Sequence, residues 1–393
     1  MKNKKVDYCY IVIILFIILS LGICTILSPK KEKSDLENRN LSVLPVFSIS
    51  SILSGDYFNQ IESYYIDHFY SRDKIIDAIN TAKSTLKLYD YNDIIFGKNN
   101  VLLRKSEFED YVSKSLDSNG YLVAKALKSL QNSAETYGGN VYYMHIKYHN
   151  EFFLDCLPNI YNVDYYKSIY NQYNNDLLSE VSKVGINIID TSLTLGNHSN
   201  ENIYFKTDHH WTFKGAYYAY TDFLKAICNN EGVDIEIPSW DDMELYKSNK
   251  KFLGSISNLL GSTKYIDTDC FEYALPKDYP EYTRVTNGKI NNDELFDLSN
   301  EYDKYDNIMG YNKATDDIYT NQDIDRNILI IGYSYKRALQ PLAAYNFKNV
   351  YGLDPRYFKG NVNDYIKKIK PDYILVVRDD FYEGNSENVC KID

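Results

Sequence analysis

From residue 140 onward, short apolar runs alternate with longer stretches in which apolar residues recur every three or four positions. "NVYYMHI" (140–146), "INIID" (186–190), "NILIIGYS" (327–334), "NVYGLD" (349–354) and "DYILVV" (372–377) are rich in Ile, Val and Tyr and read as strands. Between them, "YKSIYNQYNNDLLSEVSKVG" and "TFKGAYYAYTDFLKAICNN" keep helical spacing, the first ending at Gly185. Apolar strands separated by helices predict an α/β fold: a parallel sheet with helices on both faces. Ahead of this block, Ile61, Tyr65, Phe69, Ile75 and Ile79 recur at helical spacing. "DIIFGKNNVLL" (93–103) reads as a β-hairpin turning over Gly97 to Asn100, and residues 110–138 read as one helix ending at Gly138. Residues 239–325 break the alternation. They are polar, rich in Asp and Asn, and read as an insertion or lid.

The first apolar run is of another kind. "YCYIVIILFIILSLGICTILS" (8–28) carries no charge and is long enough to cross a bilayer as a helix. It is longer than a typical signal-peptide core, and no small-x-small cleavage pattern follows. Ile23 stands before Cys24 where a lipobox needs a small residue. The expectation is an uncleaved, single-pass anchor (8–28) in the cell membrane. Residues 1–7 would be a cytoplasmic tail, 29–56 a linker containing Pro29 and Pro45, and 57–393 an extracytoplasmic domain. Lys2, Lys4 and Lys5 before the span nearly balance Lys30, Lys31 and Lys33 after it, so the shortness of the tail decides this orientation.

Charge and cysteine content narrow the partners. Lys and Arg number 43 against 54 Asp and Glu, a net charge of −11, which argues against nucleic acid as a ligand. The six cysteines are scattered without a Cys-x-x-Cys pair, so they read as free and buried rather than as zinc ligands. The 40 tyrosines offer surface for stacking on sugars, although Asn, Ile and Lys are also frequent, as a compositional bias would make them.

Chemistry concentrates at two places. In open α/β sheets, reactive groups gather at the carboxyl ends of strands. Three such ends carry polar residues: Asp190, Ser334, and Asp354 with Arg356. Ser334 follows an apolar strand and precedes a helical run, with Gly332 allowing close backbone approach. That strand–turn–helix setting suits a serine nucleophile, and helix N-terminal amides can steady an anion there. The second place is "YFKTDHHWTFKG" (204–215), which holds two of the six histidines. In an extended segment, Asp208 and His210 would share one side and His209 the other. A serine needs a base, and the base needs an acid to hold its tautomer. His210 is the expected base, Asp208 the orienting acid, and Trp211 packs beside them. Plainer readings stay open: Ser334 as a helix cap, Asp208/His210 as a surface pair, or a metal site on Asp208, His209 and His210. No further His or Cys cluster completes that metal site, so no metal is expected.

"TDHHWT", with the flanking "YFK", resembles the signature of the DHHW protein family. That family is similar to the alginate O-acetyltransferases, whose SGNH-hydrolase-like domains carry a TDxHW motif. "ENRNLSVLP" (37–45), "YIDHFYSRD" (65–73), "IIFGKNNVLL" (94–103), "HIKYHNEFFLDCLP" (145–158), "FLGSISNLLG" (252–261) and "IIGYSYKRALQPL" resemble further family blocks and span most of the chain after the anchor. The resemblance implies an SGNH-hydrolase-like sheet of about five parallel strands and a triad of Ser334, His210 and Asp208. Family members usually read GDS at the serine; here Tyr333 replaces the Asp. Lys147 and Arg356 match positive positions of the family and are weak substrate-binding candidates, as is His209. Gly254 is a weak candidate for an oxyanion-hole amide.

The expected function is therefore a membrane-anchored O-acetyltransferase acting on a cell-surface or secreted polysaccharide. It needs no cofactor of its own. By the same resemblance, a multi-spanning membrane O-acyltransferase delivers the acetyl donor. Two alternatives differ in outcome: an esterase with the same triad that gives the acetyl group to water, and a non-catalytic polysaccharide-binding protein, which Tyr333 favours.

Overall fold

The computed structural model describes residues 4–34, 39–85, 90–114, 120–261, 265 and 267–379. The chain divides into two compact units: residues 1–88 with 257–264, and residues 89–256 with 265–393.

The larger unit is a mixed α/β fold around one sheet of eight strands. In chain order these are β1 (Asn140–Ile146), β2 (Asn187–Asp190), β3 (Tyr282–Thr286), β4 (Lys289–Asn291), β5 (Asp316–Thr320), β6 (Asn327–Gly332), β7 (Asn349–Leu353) and β8 (Tyr373–Asp379). Their order across the sheet is β4-β3-β5-β7-β6-β8-β1-β2. The five strands β7, β6, β8, β1 and β2 are parallel. Strands β5, β3 and β4 extend the sheet antiparallel. The sheet is thus mixed rather than purely parallel, because the polar stretch 239–325 contributes three of its strands.

The period-two pattern of the parallel strands decides which helix packs where. Tyr142, Met144, Ile328, Ile330, Leu375 and Val377 face α3 (Phe213–Glu231) and α4 (Lys336–Ala343). The alternate residues Val141, Tyr143, Leu329, Ile331, Ile374 and Val376 face α1 (Gly120–Glu135), α2 (Val163–Lys183) and α5 (Val362–Ile369). Helices therefore cover both faces. Truncating one of these buried aliphatics to Ala costs about 2–5 kcal/mol. The span expected to form one helix over 110–138 contains two helical segments, Lys105–Lys114 and Gly120–Glu135; residues 115–119 between them lie outside the described residues. The hairpin pairs Ile94–Phe96 with Leu102–Arg104. The five described cysteines are free, and none is fully buried; Cys390 lies outside the described residues.

The smaller unit begins with helix Lys4–Leu27, whose Tyr8–Leu27 stretch is long and apolar enough to cross a membrane. Residues Lys33–Ser34 pair antiparallel with Arg39–Asn40. Helices Ile49–Ser54, Asp56–Asp67 and Arg72–Thr85 follow. Asp67 accepts hydrogen bonds from Arg39 (3.0 and 2.5 Å) and from the N–H and hydroxyl of Ser42 (2.8 Å each). The blocks "ENRNLSVLP" and "YIDHFYSRD" therefore meet in one clamp, whose hydrogen bonds hold the Asp67 carboxyl well below the usual range.

Candidate active site

Chain direction sets the place of the serine. The chain leaves β1 toward β2 and leaves β6 toward β7, in opposite directions across the sheet. A crevice at the carboxyl ends of such strands is where doubly wound sheets bind ligands. Ser334 stands two residues beyond the end of β6 and just before α4. A Cβ on Gly332 would lie 2.6 Å from the Val377 carbonyl oxygen, so only glycine lets β6 lie this close to β8.

The histidine arrives on a tight loop. Tyr204 and Trp211 form a single antiparallel bridge, closed by Phe205 N–H donating to the His210 carbonyl (3.2 Å) and Thr212 N–H to that of Ile203 (2.9 Å). Thr212 then caps α3, its hydroxyl oxygen accepting from Gly215 N–H at 3.2 Å. The tip of the loop is not extended. Asp208 Oδ1 accepts from His210 N–H at 3.0 Å, an Asx turn, and this turn brings the carboxylate and the imidazole to one side. The juxtaposition expected from strand alternation thus arises from a turn.

The structure brings Ser334, His210 and Asp208 into one hydrogen-bonded line. Ser334 Oγ lies 2.6 Å from His210 Nε2, and His210 Nδ1 lies 2.6 Å from Asp208 Oδ1. An ionised carboxylate accepts only, so Nδ1 carries the proton and Nε2 faces the serine hydroxyl as an acceptor. All three residues are buried. Burial pushes the Asp208 carboxyl up, but the neighbouring histidines and the Ser255 N–H outweigh it and hold it well below the usual range. Burial lowers the His210 imidazole, against the pull of Asp208. A neutral base beside an ionised acid is the state in which a serine proton can be taken.

Backbone and side-chain groups from the polar stretch 239–325, with Arg337 beyond it, complete the site. Ser255 N–H donates to the second oxygen of Asp208 at 2.7 Å. That approach depends on Gly254, where a Cβ would lie 2.2 Å from the Thr207 carbonyl oxygen. Asp269 accepts from Lys206 N–H (2.9 Å), Thr207 N–H (2.8 Å) and the Thr207 hydroxyl (2.6 Å), fixing the loop behind the motif. Tyr305 stacks flat on His210, centroids 3.7 Å apart and planes 6° apart, and its hydroxyl donates to the Ser334 carbonyl at 3.2 Å. Arg337 lies over the Tyr305 ring at 4.8 Å, donates to the Ser334 carbonyl and pairs with Asp306 at 2.6 Å. Sequence reasoning missed Ser255, Asp269, Tyr305 and Arg337. "FLGSIS" and "YSYKRAL" were the available signals for Ser255 and Arg337; nothing periodic marks Asp269 or Tyr305.

The remaining candidates take other places. Trp211 is fully buried, edge-on to Tyr335. His209 is more accessible than His210, and its Nδ1 lies 2.8 Å from Ser255 Oγ; burial lowers its imidazole to about 3. Lys147 Nζ faces Glu151 at 3.9 Å. Arg356 forks onto Asp354 (3.0 and 2.7 Å) and lies 4.2 Å over the Tyr333 ring. Asp190 caps the turn after β2 through Ser192 N–H. Of the three polar strand ends, only the one carrying Ser334 joins the hydrogen-bonded line. Ligand atoms of Asp208, His209 and His210 lie within 4.8 Å of one another, close enough for a metal ion, but both His210 nitrogens are engaged by Asp208 and Ser334. Beside the loop runs a cleft of about 890 Å³ with mixed polar and apolar lining, including Asn99, Phe152, Tyr204, Lys206, Asp267 and Asp269.

A family model described as "DHHW protein" matches residues 101–353. Among solved structures, a DHHW family protein from Eubacterium siraeum is 24% identical, covers 68% of this chain and 88% of its own, and superposes with a TM-score of 0.56. PatB1 from Bacillus cereus is 19% identical, covers 75% of this chain and 96% of its own, and gives a TM-score of 0.58. A second PatB1 structure carries a sulfonyl adduct; it is 18% identical over 73% of this chain and 94% of its own, with a TM-score of 0.55. No curated protein sequence matches the chain. These likenesses establish a shared fold.

Proposed function

Because this chain belongs to the DHHW protein family, we propose that it is a serine O-acetyltransferase acting on a cell-surface or secreted polysaccharide. The observation that carries the proposal is the line Ser334–His210–Asp208, with both links at 2.6 Å inside a buried, clamped site. The resemblance of "TDHHW" to the motif of the alginate O-acetyltransferases supplies the acetyl group and the sugar.

Ser334 Oγ attacks the acetyl carbonyl carbon while its proton passes to His210 Nε2. Asp208 holds the Nδ1 proton and stabilises the imidazolium that forms. Backbone amides around Ser334, with Gly254 as a second contributor, meet the oxyanion. The tetrahedral intermediate collapses, and the donor's alcohol leaves with the proton from His210. A sugar hydroxyl then attacks the acetyl-serine and gives its proton to His210. Collapse releases the acetylated sugar and returns the proton to Ser334. The cleft beside Lys206, with amide, carboxylate and aromatic lining, supports a polysaccharide acceptor. His209, Lys147 and Arg356 remain candidates for holding it.

In this reading helix Lys4–Leu27 is an uncleaved anchor and the remainder is extracytoplasmic. Acetyl-CoA is cytoplasmic, so the donor is handed on by a multi-spanning membrane acyltransferase and no bound cofactor is required. The test uses the full chain in detergent, a chromogenic acetyl ester and a panel of oligosaccharides. Acetylated oligosaccharide, lost in Ser334→Ala and His210→Ala, is the expected product. Free acetate alone would make the protein an esterase. Absence of turnover by folded protein would leave a binding protein.

A further inference from the structure

Immediately after the apolar N-terminal helix, the chain exposes a second apolar surface. Val43, Val46, Phe47, Ile49, Leu53 and Phe58 are 60–88% exposed. Residues 40–55 contain no charged side chain, although 25% of the whole chain is charged. An uncharged stretch that exposes this many large apolar side chains marks a site that something covers.

The hydrogen bonds of the smaller unit indicate what covers it. Tyr70 N–H donates to Thr25 Oγ1 at 3.1 Å, in the last turn of helix Lys4–Leu27, and Thr25 is buried there. His68 Nε2 lies 3.1 Å from the Lys31 carbonyl oxygen. The Asp67 clamp then ties Arg39 and Ser42 to the same helix end. The uncharged stretch starts at this knot. An apolar helix that spans a bilayer ends its apolar run at the headgroups, so residues bonded to its last turn lie at headgroup depth. Lys30, Lys31 and Lys33 follow directly, where cationic side chains reach the lipid headgroups.

We propose that residues 43–58 form a lipid-seated collar, whose Val43, Val46, Phe47, Ile49, Leu53 and Phe58 enter the interface of the bilayer that the N-terminal helix crosses. This inference rests on the anchor reading above. The chain would then leave the membrane through an interfacial segment and not through a solvated tether.

The test uses the full chain, its own cysteines replaced by serine, in nanodiscs of phosphatidylethanolamine and phosphatidylglycerol. One nitroxide is placed in turn at Phe47, Leu53 and Phe58, all already exposed, with Ile17 in the N-terminal helix and exposed Leu193 as references. Power saturation compares access to lipid-soluble oxygen and to a water-soluble nickel chelate. Oxygen dominating at Phe47, Leu53 and Phe58, as at Ile17, with nickel dominating at Leu193, is the expected result. Nickel dominating at the three sites while Ile17 stays in lipid would overturn the collar and leave the anchor standing. Shielding from both reagents would overturn lipid as the occupant in favour of a second copy or another protein. Nickel dominating at Ile17 as well would overturn anchor and collar together.

Discussion

Ser334 stands at the end of a strand flanked on both sides by parallel neighbours, whereas His210 stands on a loop whose only strand pairing is one bridge. The serine inherits its position from the core: Ile328, Ile330 and the fully buried helix α4 fix the backbone before and after it. The histidine is positioned by polar contacts. Asp208 turns the loop, Ser255 holds Asp208, Asp269 holds Thr207, and Tyr305 lies flat on the ring. Packing is spread over many small contacts and tolerates the loss of one. A hydrogen-bonded clamp depends on few groups, and leaving a buried donor unpaired costs about 1–3 kcal/mol. The two halves of the site should therefore fail differently.

The largest effect is expected at the reacting atoms themselves. Ser334→Ala and His210→Ala should each lower kcat by about 10⁴–10⁶ with an unchanged circular dichroism spectrum, and Asp208→Asn by about 10⁴. The contrast between the halves is sharpened by pairing Ile330→Ala with Asp269→Ala. Ile330→Ala should cost about 2–5 kcal/mol of stability while the folded fraction keeps its activity. Asp269→Ala should cost about 1–3 kcal/mol yet reduce kcat of the folded protein more than tenfold, a factor worth about 1.4 kcal/mol. Urea unfolding and kinetics on the same samples read both; equal activity in the two variants would break the comparison. Smaller again is Tyr305. Tyr305→Ala removes a stack worth about 0.5–1.5 kcal/mol and should slow turnover about three- to tenfold, whereas Tyr305→Phe keeps the stack.

The gentlest probe is pH. His210 acts as base only when unprotonated, and burial lowers its pKa, so kcat/KM should stay level through neutral pH and fall with an inflection below the ordinary histidine value. Stability follows the same sign. His149, whose Nε2 lies 3.0 Å from the Phe205 carbonyl oxygen, is lowered to about 4 by burial, and His209 to about 3. The unfolded chain binds protons at these positions near the ordinary value of about 6.5. Their contribution is therefore complete above that pH and is lost as pH falls toward the folded values. The urea midpoint should drop between pH 6.5 and 4. An unchanged midpoint would show that these histidines do not resist protonation.

The same division explains what the sequence disclosed. The five parallel strands and their helices were legible because burial on two faces leaves long apolar runs and helical spacing. Ser334 followed from its place at a strand end, and the Asp208/His210 pair from its spacing. Strands β3 and β4 were not legible because most of their residues are exposed or half-buried, and β5 because its buried positions are largely polar, Asp316, Asp317 and Thr320. Asp269 and Tyr305 were illegible for a related reason: their roles come from hydrogen bonds and stacking between segments distant in the chain. Arg356, marked as a possible ligand contact, also braces Asp354 and lies over Tyr333, so the residue just before the serine carries a ring under a guanidinium.

The central claim is that His210 makes Ser334 a nucleophile. The most direct measurement is the rate of covalent labelling of the full chain by a sulfonyl fluoride, followed by intact mass and peptide mapping. The account predicts a single adduct on Ser334 that forms at least about 10²-fold more slowly in His210→Ala. An unlabelled Ser334 in folded wild-type protein, or equal labelling rates in the two proteins, would contradict it.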